Sequence, residues 1–311
     1  MSSLTLAADP VAHVINHPWL IGEDGKWLWS SAQSNMVLSA LILLVVGMIV
    51  AKAVSTGDEG QGHWRFVTKS RFAHMVEVIC GYLRESTVRP LLHERTNRFM
   101  PFLWTLFFFI LVNNLLGLIP ILDIHNVIAG KMAPEVVAQH KAFIGGTATQ
   151  SIWVTGALAI IAGIMINSAG IREMGIKGYF GHMTGGLPIK PFFIPIILLI
   201  FIIEFLGTFI KPVALAIRLF ANMTAGHILV AVLLGFAAQG FLSAGDNPLL
   251  GIFVGLVSSL GIIAIYFLEI FVAFLQAFVF MFLTTVFISL LAHHGDHDHE
   301  TAHEVAQAGL A

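Results

Sequence analysis

Apolar runs dominate the chain, and their lengths fall into two classes. Val37 to Ala51, Pro101 to Leu122 and Ser151 to Ile171 are near the ~20 residues that cross about 30 Å of hydrocarbon as a helix. Two later stretches, Phe192 to about Ala238 and Leu249 to Ala292, are much longer. A helix of about 45 residues is roughly 67 Å long, an excess that tilts of up to about 40° do not absorb. Each stretch is therefore two short crossings or one long helix lying far from the membrane normal. The only clear break between them is Gly240 to Pro248, so the pattern predicts two long, steeply tilted helices forming a hairpin. The architecture expected is an all-α integral membrane protein with about five membrane helices. Between Arg71 and Leu92, Phe72, Met75, Val76, Ile79, Tyr82 and Leu83 recur at helical spacing among basic side chains. They predict an additional amphipathic helix on the inner membrane surface, with packing against the other spans as the alternative.

Composition supports the bilayer assignment. The chain is 57% hydrophobic and 11% charged, with a mean hydropathy well above zero, so its apolar surface cannot be hidden in a water-soluble globule. Residues 1–36 are expected to be an outer N-terminal segment, 37–292 a single polytopic membrane domain and 293–311 a His-rich cytoplasmic tail. The 16 Lys and Arg nearly balance the 18 Asp and Glu, which offers nothing to nucleic acid; the distribution of charge is more informative. Only Lys26 precedes the first span, whereas half of the basic residues lie between Lys52 and Arg98. The positive-inside rule then puts the N-terminus outside and the C-terminus in the cytoplasm. No basic n-region precedes a short apolar core, so the first span is expected to remain in the mature protein, in a bacterial inner membrane. Cys80 alone excludes an internal disulfide and reads as a small apolar residue.

Ionisable residues inside the long stretches carry the candidate chemistry. Arg218 stands far from either end of the first one, where an arginine costs about 2.5–3.5 kcal/mol on insertion scales. A structural ion pair is the alternative reading. At helical spacing Glu204, Thr208, Lys211, Arg218 and Asn222 share one face, allowing for a bend at Pro212. Ala214, Ala221 and Ala225 lie beside that face, a strip of small side chains that admits a close neighbour. The guanidinium stays protonated, so it cannot relay protons, but it can hold a carboxylate in its charged form. In the second stretch Ser258, Tyr266, Glu269 and Gln276 share a face. Glu269 is a candidate proton-exchanging carboxylate, and His227 on the first long helix is its expected partner across the hairpin.

These residues strongly resemble subunit a of the F-type ATP synthases, the stator beside the rotating ring of c subunits. The likeness is closest in KPVALAIRLFANMTAGH, Lys211 to His227, and in FLQAFVFMFLT, Phe274 to Thr284, and it extends loosely through NNLLGLIP, Asn113 to Pro120. The resemblance implies a proton-conducting, non-catalytic subunit with two half-channels leading to the ring carboxylates. It implies that Arg218 faces the ring, that Asn222 and Gln276 are its polar neighbours, and that Glu204, His227 and Glu269 belong to the proton-access paths; Lys211 falls within the same motif. It also implies the c-ring, the b-subunit peripheral stalk, the remaining synthase subunits and membrane lipid as partners. Where the family often has Asp-Leu-Asn at the outer start of a span, this chain reads TATQSIWVT, Thr147 to Thr155, so its outer vestibule is expected to be lined differently.

Two other classes fit parts of the pattern. A proton-coupled secondary transporter would use the same buried charges, but one half of the chain does not repeat the other. A metal-binding protein is suggested by HHGDHDHETAH, in which His293, His294, His297 and His299 could bind Zn²⁺ or Ni²⁺; a solvated tail is the alternative. No cofactor is expected. A Walker-type GxxxxGK[ST] run is absent from the sequence, which places any nucleotide chemistry elsewhere.

Overall fold

The structure, a computed structural model, describes residues 18–21, 27–54, 70–119, 148–184, 194–243 and 248–308. Strands β1 (Pro18–Ile21) and β2 (Trp27–Ser30) pair antiparallel, a small element that the apolar pattern does not predict. They lead into α1 (Ser31–Val54), where the Ser30 N–H donates to Gln33 Oε1 at 2.8 Å, the back-reaching half of a capping box. Trp29 Nε1 also donates to Ser34 Oγ at 2.7 Å. Val37, Leu41, Leu44, Val45 and Met48 of α1 are exposed, as expected for a helix whose solvent is lipid.

Helix α2 (Arg71–Tyr82) begins at Ser70, whose side chain accepts from the Ala73 N–H. The predicted apolar stripe divides here: Phe72, Met75 and Tyr82 are exposed, Val76 and Ile79 half-buried, and Leu83 buried. A π-helical turn (Leu83–Val88), the short α3 (Arg89–Leu92) and a 3₁₀ turn (His93–Arg95) lead to α4 (Thr96–Leu118). A 3₁₀ turn (Ala148–Gln150) precedes α5 (Ile152–Met183), and two long helices follow, α6 (Ile194–Ser243, 50 residues) and α7 (Pro248–Ala308, 61 residues). Each long stretch is thus one continuous helix rather than two crossings, with Pro212 accommodated inside α6. Among the described residues, five helical stretches are long and apolar enough to span a bilayer: Ser31–Val54, Arg71–Leu118, Ile152–Ile176, Ile194–Gly240 and Pro248–Leu291. The protein is an all-α integral membrane protein, with the β1–β2 pair as a small addition.

The chain forms two compact units. The first comprises residues 1–48, 108–155 and 217–278. Its centre is the antiparallel pairing of α6 with α7 across the predicted break. The backbones touch at glycines: a Cβ on Gly240 would sit 2.6 Å from Gly255 N and 3.0 Å from Gly251 O, so only a bare backbone fits there. Farther along the pair, Leu118, Met223 and Ala273 form a buried apolar cluster. The second unit comprises residues 49–107, 156–216 and 279–311. Leu103, Phe107, Ala162, Phe280, Met281 and Ile288 are fully buried in it. Polar ties reinforce that core: Trp104 Nε1 donates to Cys80 O at 3.3 Å, and Ser289 Oγ to Leu91 O at 2.8 Å. Glu173 receives both Arg95, at 3.3 Å, and Arg98, at 3.2 Å.

Candidate functional site

In the first unit Arg218 is exposed on α6, and so are Ala221, Asn222 and Ala225 around it. Among the described residues no hydrogen bond or ion pair holds the guanidinium. This removes the structural ion pair as its explanation within these residues. Ala214, on the part of α6 that belongs to the second unit, is exposed as well. An uncompensated arginine in an apolar helix, bordered by small side chains, forms a surface suited to close approach by a group of opposite charge.

Asn222 lies one helical turn on from Arg218, and its Nδ2 donates to Gln276 Oε1 of α7 at 2.9 Å. Gln276 is buried, and its Nε2 has no partner among the described residues. The face expected on α7 is the inward one: Ser258, Glu269 and Gln276 are buried and Tyr266 half-buried. Glu269 packs on the bare backbone of Gly226, where a Cβ would overlap its Oε1. That contact places Glu269 beside the residue preceding His227. Neither carboxylate oxygen has a hydrogen-bond partner among the described residues. A buried carboxyl without partners carries a large desolvation penalty when charged and is a suitable group for exchanging protons with water or a neighbouring base.

A second feature of this unit was only partly foreseen. Thr149 Oγ1 donates to Asn114 Oδ1 at 2.8 Å, and Asn114 Nδ2 reaches Ala273 O at 3.4 Å. Both side chains are fully buried. The segment expected to be lined differently therefore supplies a neutral hydroxyl that orients an asparagine amide against α7, one turn beyond Glu269.

In the second unit, Glu204, Thr208 and Lys211 line a cavity of about 210 Å³ together with Asn167, Tyr179 and Phe287. Lys211 Nζ lies 5.4 Å from the centroid of the Phe287 ring, a cation–π distance. Sequence reasoning placed the three α6 residues on one face but missed Asn167 and Tyr179. An asparagine in an apolar span is a readable signal for the first; no pattern marks the second. Tyr179 lies beyond the membrane-crossing part of α5, and burial pushes its phenol above the ordinary range, which keeps it protonated. The tail residues His293, His294, His297 and His299 lie outside the residues whose side chains are described. Among the described residues no group of His, Cys, Asp or Glu is arranged to hold a metal.

Fold and site together define a polytopic membrane protein whose longest helix pair carries ionisable groups within its apolar stretches, one of them a cation with no partner among the described residues. Residues 35–289 match the family described as ATP synthase A chain, and the chain belongs to that family. It is similar to the "ATP synthase subunit a" of Chloroherpeton thalassium, with 37% identity over 268 residues covering 85% of this chain and 67% of the relative. The protein of the same description from Chlorobium phaeobacteroides is 35% identical over 304 residues, 96% of this chain and 75% of the relative. That from Myxococcus xanthus is 35% identical over 275 residues, 88% and 76% respectively. Some relatives are considerably longer: the chain spans 53% of one from Anaeromyxobacter dehalogenans.

Proposed function

We propose that this chain is the proton-conducting stator subunit of an F-type ATP synthase in a bacterial inner membrane, with Arg218 as the barrier between two half-channels. The observation that carries the reading is the exposure of Arg218 among alanines on α6 with no partner among the described residues. Such a charge stabilises a carboxylate presented by a neighbour in its ionised form, and its own proton does not leave at physiological pH. A ring of carboxylates passing this face would be forced to deprotonate there, and a proton could not cross directly. Protons would reach the ring past Glu269 and His227 on one side and leave past Glu204 on the other. The water-sized space around Glu204 and Lys211 supports a hydrated path there. The partners in this reading are the c-ring, the b-subunit stalk and the other synthase subunits, with the N-terminus outside and the C-terminus cytoplasmic. The driving force is about 2.3 kcal/mol for each charge moved through 100 mV, and nucleotide chemistry resides on other subunits.

The test is ATP-driven proton pumping in inverted membrane vesicles carrying Arg218→Ala, with co-purification of the ring as the measure of assembly. Loss of pumping in an assembled complex supports the barrier. Pumping at the wild-type rate sinks it and favours a proton-coupled transporter instead.

A further inference from the structure

The reading above uses the cavity around Glu204 but gives no role to the wall that residues 176–183 provide. These residues follow Gly175, whose φ of 69° and ψ of 170° lie in a region essentially confined to glycine. Beyond that turn Tyr179 is 6% exposed. Its ring lies on Gly170, where a Cβ would come within 3.2 Å of Cδ2 and Cε2. Its hydroxyl donates to Asn167 Oδ1 and lies beside the hydroxyl of Thr208. Asn167 Nδ2 donates in turn to Gly163 O at 2.7 Å, which fixes the orientation of the amide and leaves its oxygen for the phenol. Thr208 Oγ1 donates to Glu204 O at 3.1 Å. One phenol therefore meets two positions of α5, Asn167 and Gly170, and stands beside the turn of α6 that carries Glu204, and all of these groups except Gly170 line the cavity.

We propose that Tyr179 is a positioning residue for proton passage, holding the Asn167 amide and the Thr208 hydroxyl so that Glu204 meets the water of the cavity in a fixed geometry. This inference rests on the reading of the cavity as a conducting path. Removing the oxygen leaves the half-buried Asn167 Oδ1 without its donor and takes away the polar neighbour of the Thr208 hydroxyl.

Tyr179→Phe keeps the ring on Gly170 and deletes only that oxygen. In inverted vesicles holding the whole complex, with assembly verified, ATP-driven pumping is expected to fall roughly five- to tenfold, the effect of one lost buried hydrogen bond at a step that limits rate. Asn167→Ala is expected to do the same and carries the comparison if Tyr179→Phe does not accumulate. In a Glu204→Asp background Tyr179→Phe is expected to add little, because both changes act on one step, whereas an independent structural contribution would multiply the losses. Wild-type pumping by assembled Tyr179→Phe complexes, or multiplied losses in the double variant, overturns the proposal. If Glu204→Asp and Glu204→Gln both pump normally, the conducting role of the cavity is itself wrong, and the role of Tyr179 falls with it.

Discussion

Glu269 is held by shape rather than by hydrogen bonds. Its carboxyl lies against the backbone of Gly226, with both oxygens unpartnered among the described residues. Two substitutions separate the consequences. Glu269→Gln preserves volume and breaks no hydrogen bond, so the complex is expected to assemble with unchanged thermal stability while pumping falls at least about tenfold, the scale of a lost proton-transfer group. Gly226→Ala instead drives a methyl into the carboxyl, an overpacking that costs about 1–3 kcal/mol; it should lower the melting temperature of the purified complex as well as pumping. Equal stability losses in both variants would contradict this account of the contact. Arg218, Glu204, Lys211 and Glu269 were legible in the sequence because a charge inside an apolar run is conspicuous whatever the fold. Tyr179 was not, since its place depends on a single backbone angle at Gly175 that periodicity does not encode. His227, the expected exchange partner of Glu269, follows Gly226, the residue on which Glu269 packs, but how the two side chains face each other depends on rotamers that spacing leaves open.

At the scale of elements, length alone left each long stretch as one helix or two, and the structure joins each into one. The interruption that could have split α6 is Pro212, which lacks the N–H for the Thr208 carbonyl. Its ring is accommodated at Gly163, where a Cβ would stand 2.9 Å from Pro212 Cγ. The turn between α6 and α7 was readable from Gly240 to Pro248, but the reason that Gly240 in particular is a glycine is the backbone crossing with Gly251 and Gly255. Gly240→Val is accordingly expected to splay the hairpin and reduce the yield of assembled complex several-fold, by a cost of about 1–3 kcal/mol or more; quantitative co-purification with the ring would reveal it, and an undiminished yield would mean that the helices separate there freely. The strand pair β1–β2 escaped notice because four residues a side hold too few alternations to stand out beside much longer helical patterns.

At the scale of the whole molecule, the features that hold each unit differ from those proposed to serve conduction. Within the second unit, Glu173 receives Arg95 and Arg98, and the arginine side chains are 29% and 51% exposed. The Glu173 side chain is 15% exposed, but pairs whose cations reach solvent are screened and contribute little, so Glu173→Gln is expected to lower stability by about 1 kcal/mol, with the difference shrinking in high salt. Denaturation at two ionic strengths checks it, and a large, salt-independent loss would show that the pair is part of the core.

The exposed guanidinium of Arg218 bears on the life of the chain before it joins any complex. On the function proposed above, a subunit that displays on an apolar helix a cation without a partner among the described residues is costly to keep as an orphan in the bilayer. Its abundance in the cell should therefore follow that of its partners. Depleting the ring should shorten the half-life of the wild-type chain, whereas Arg218→Leu, once released from the same need, should persist.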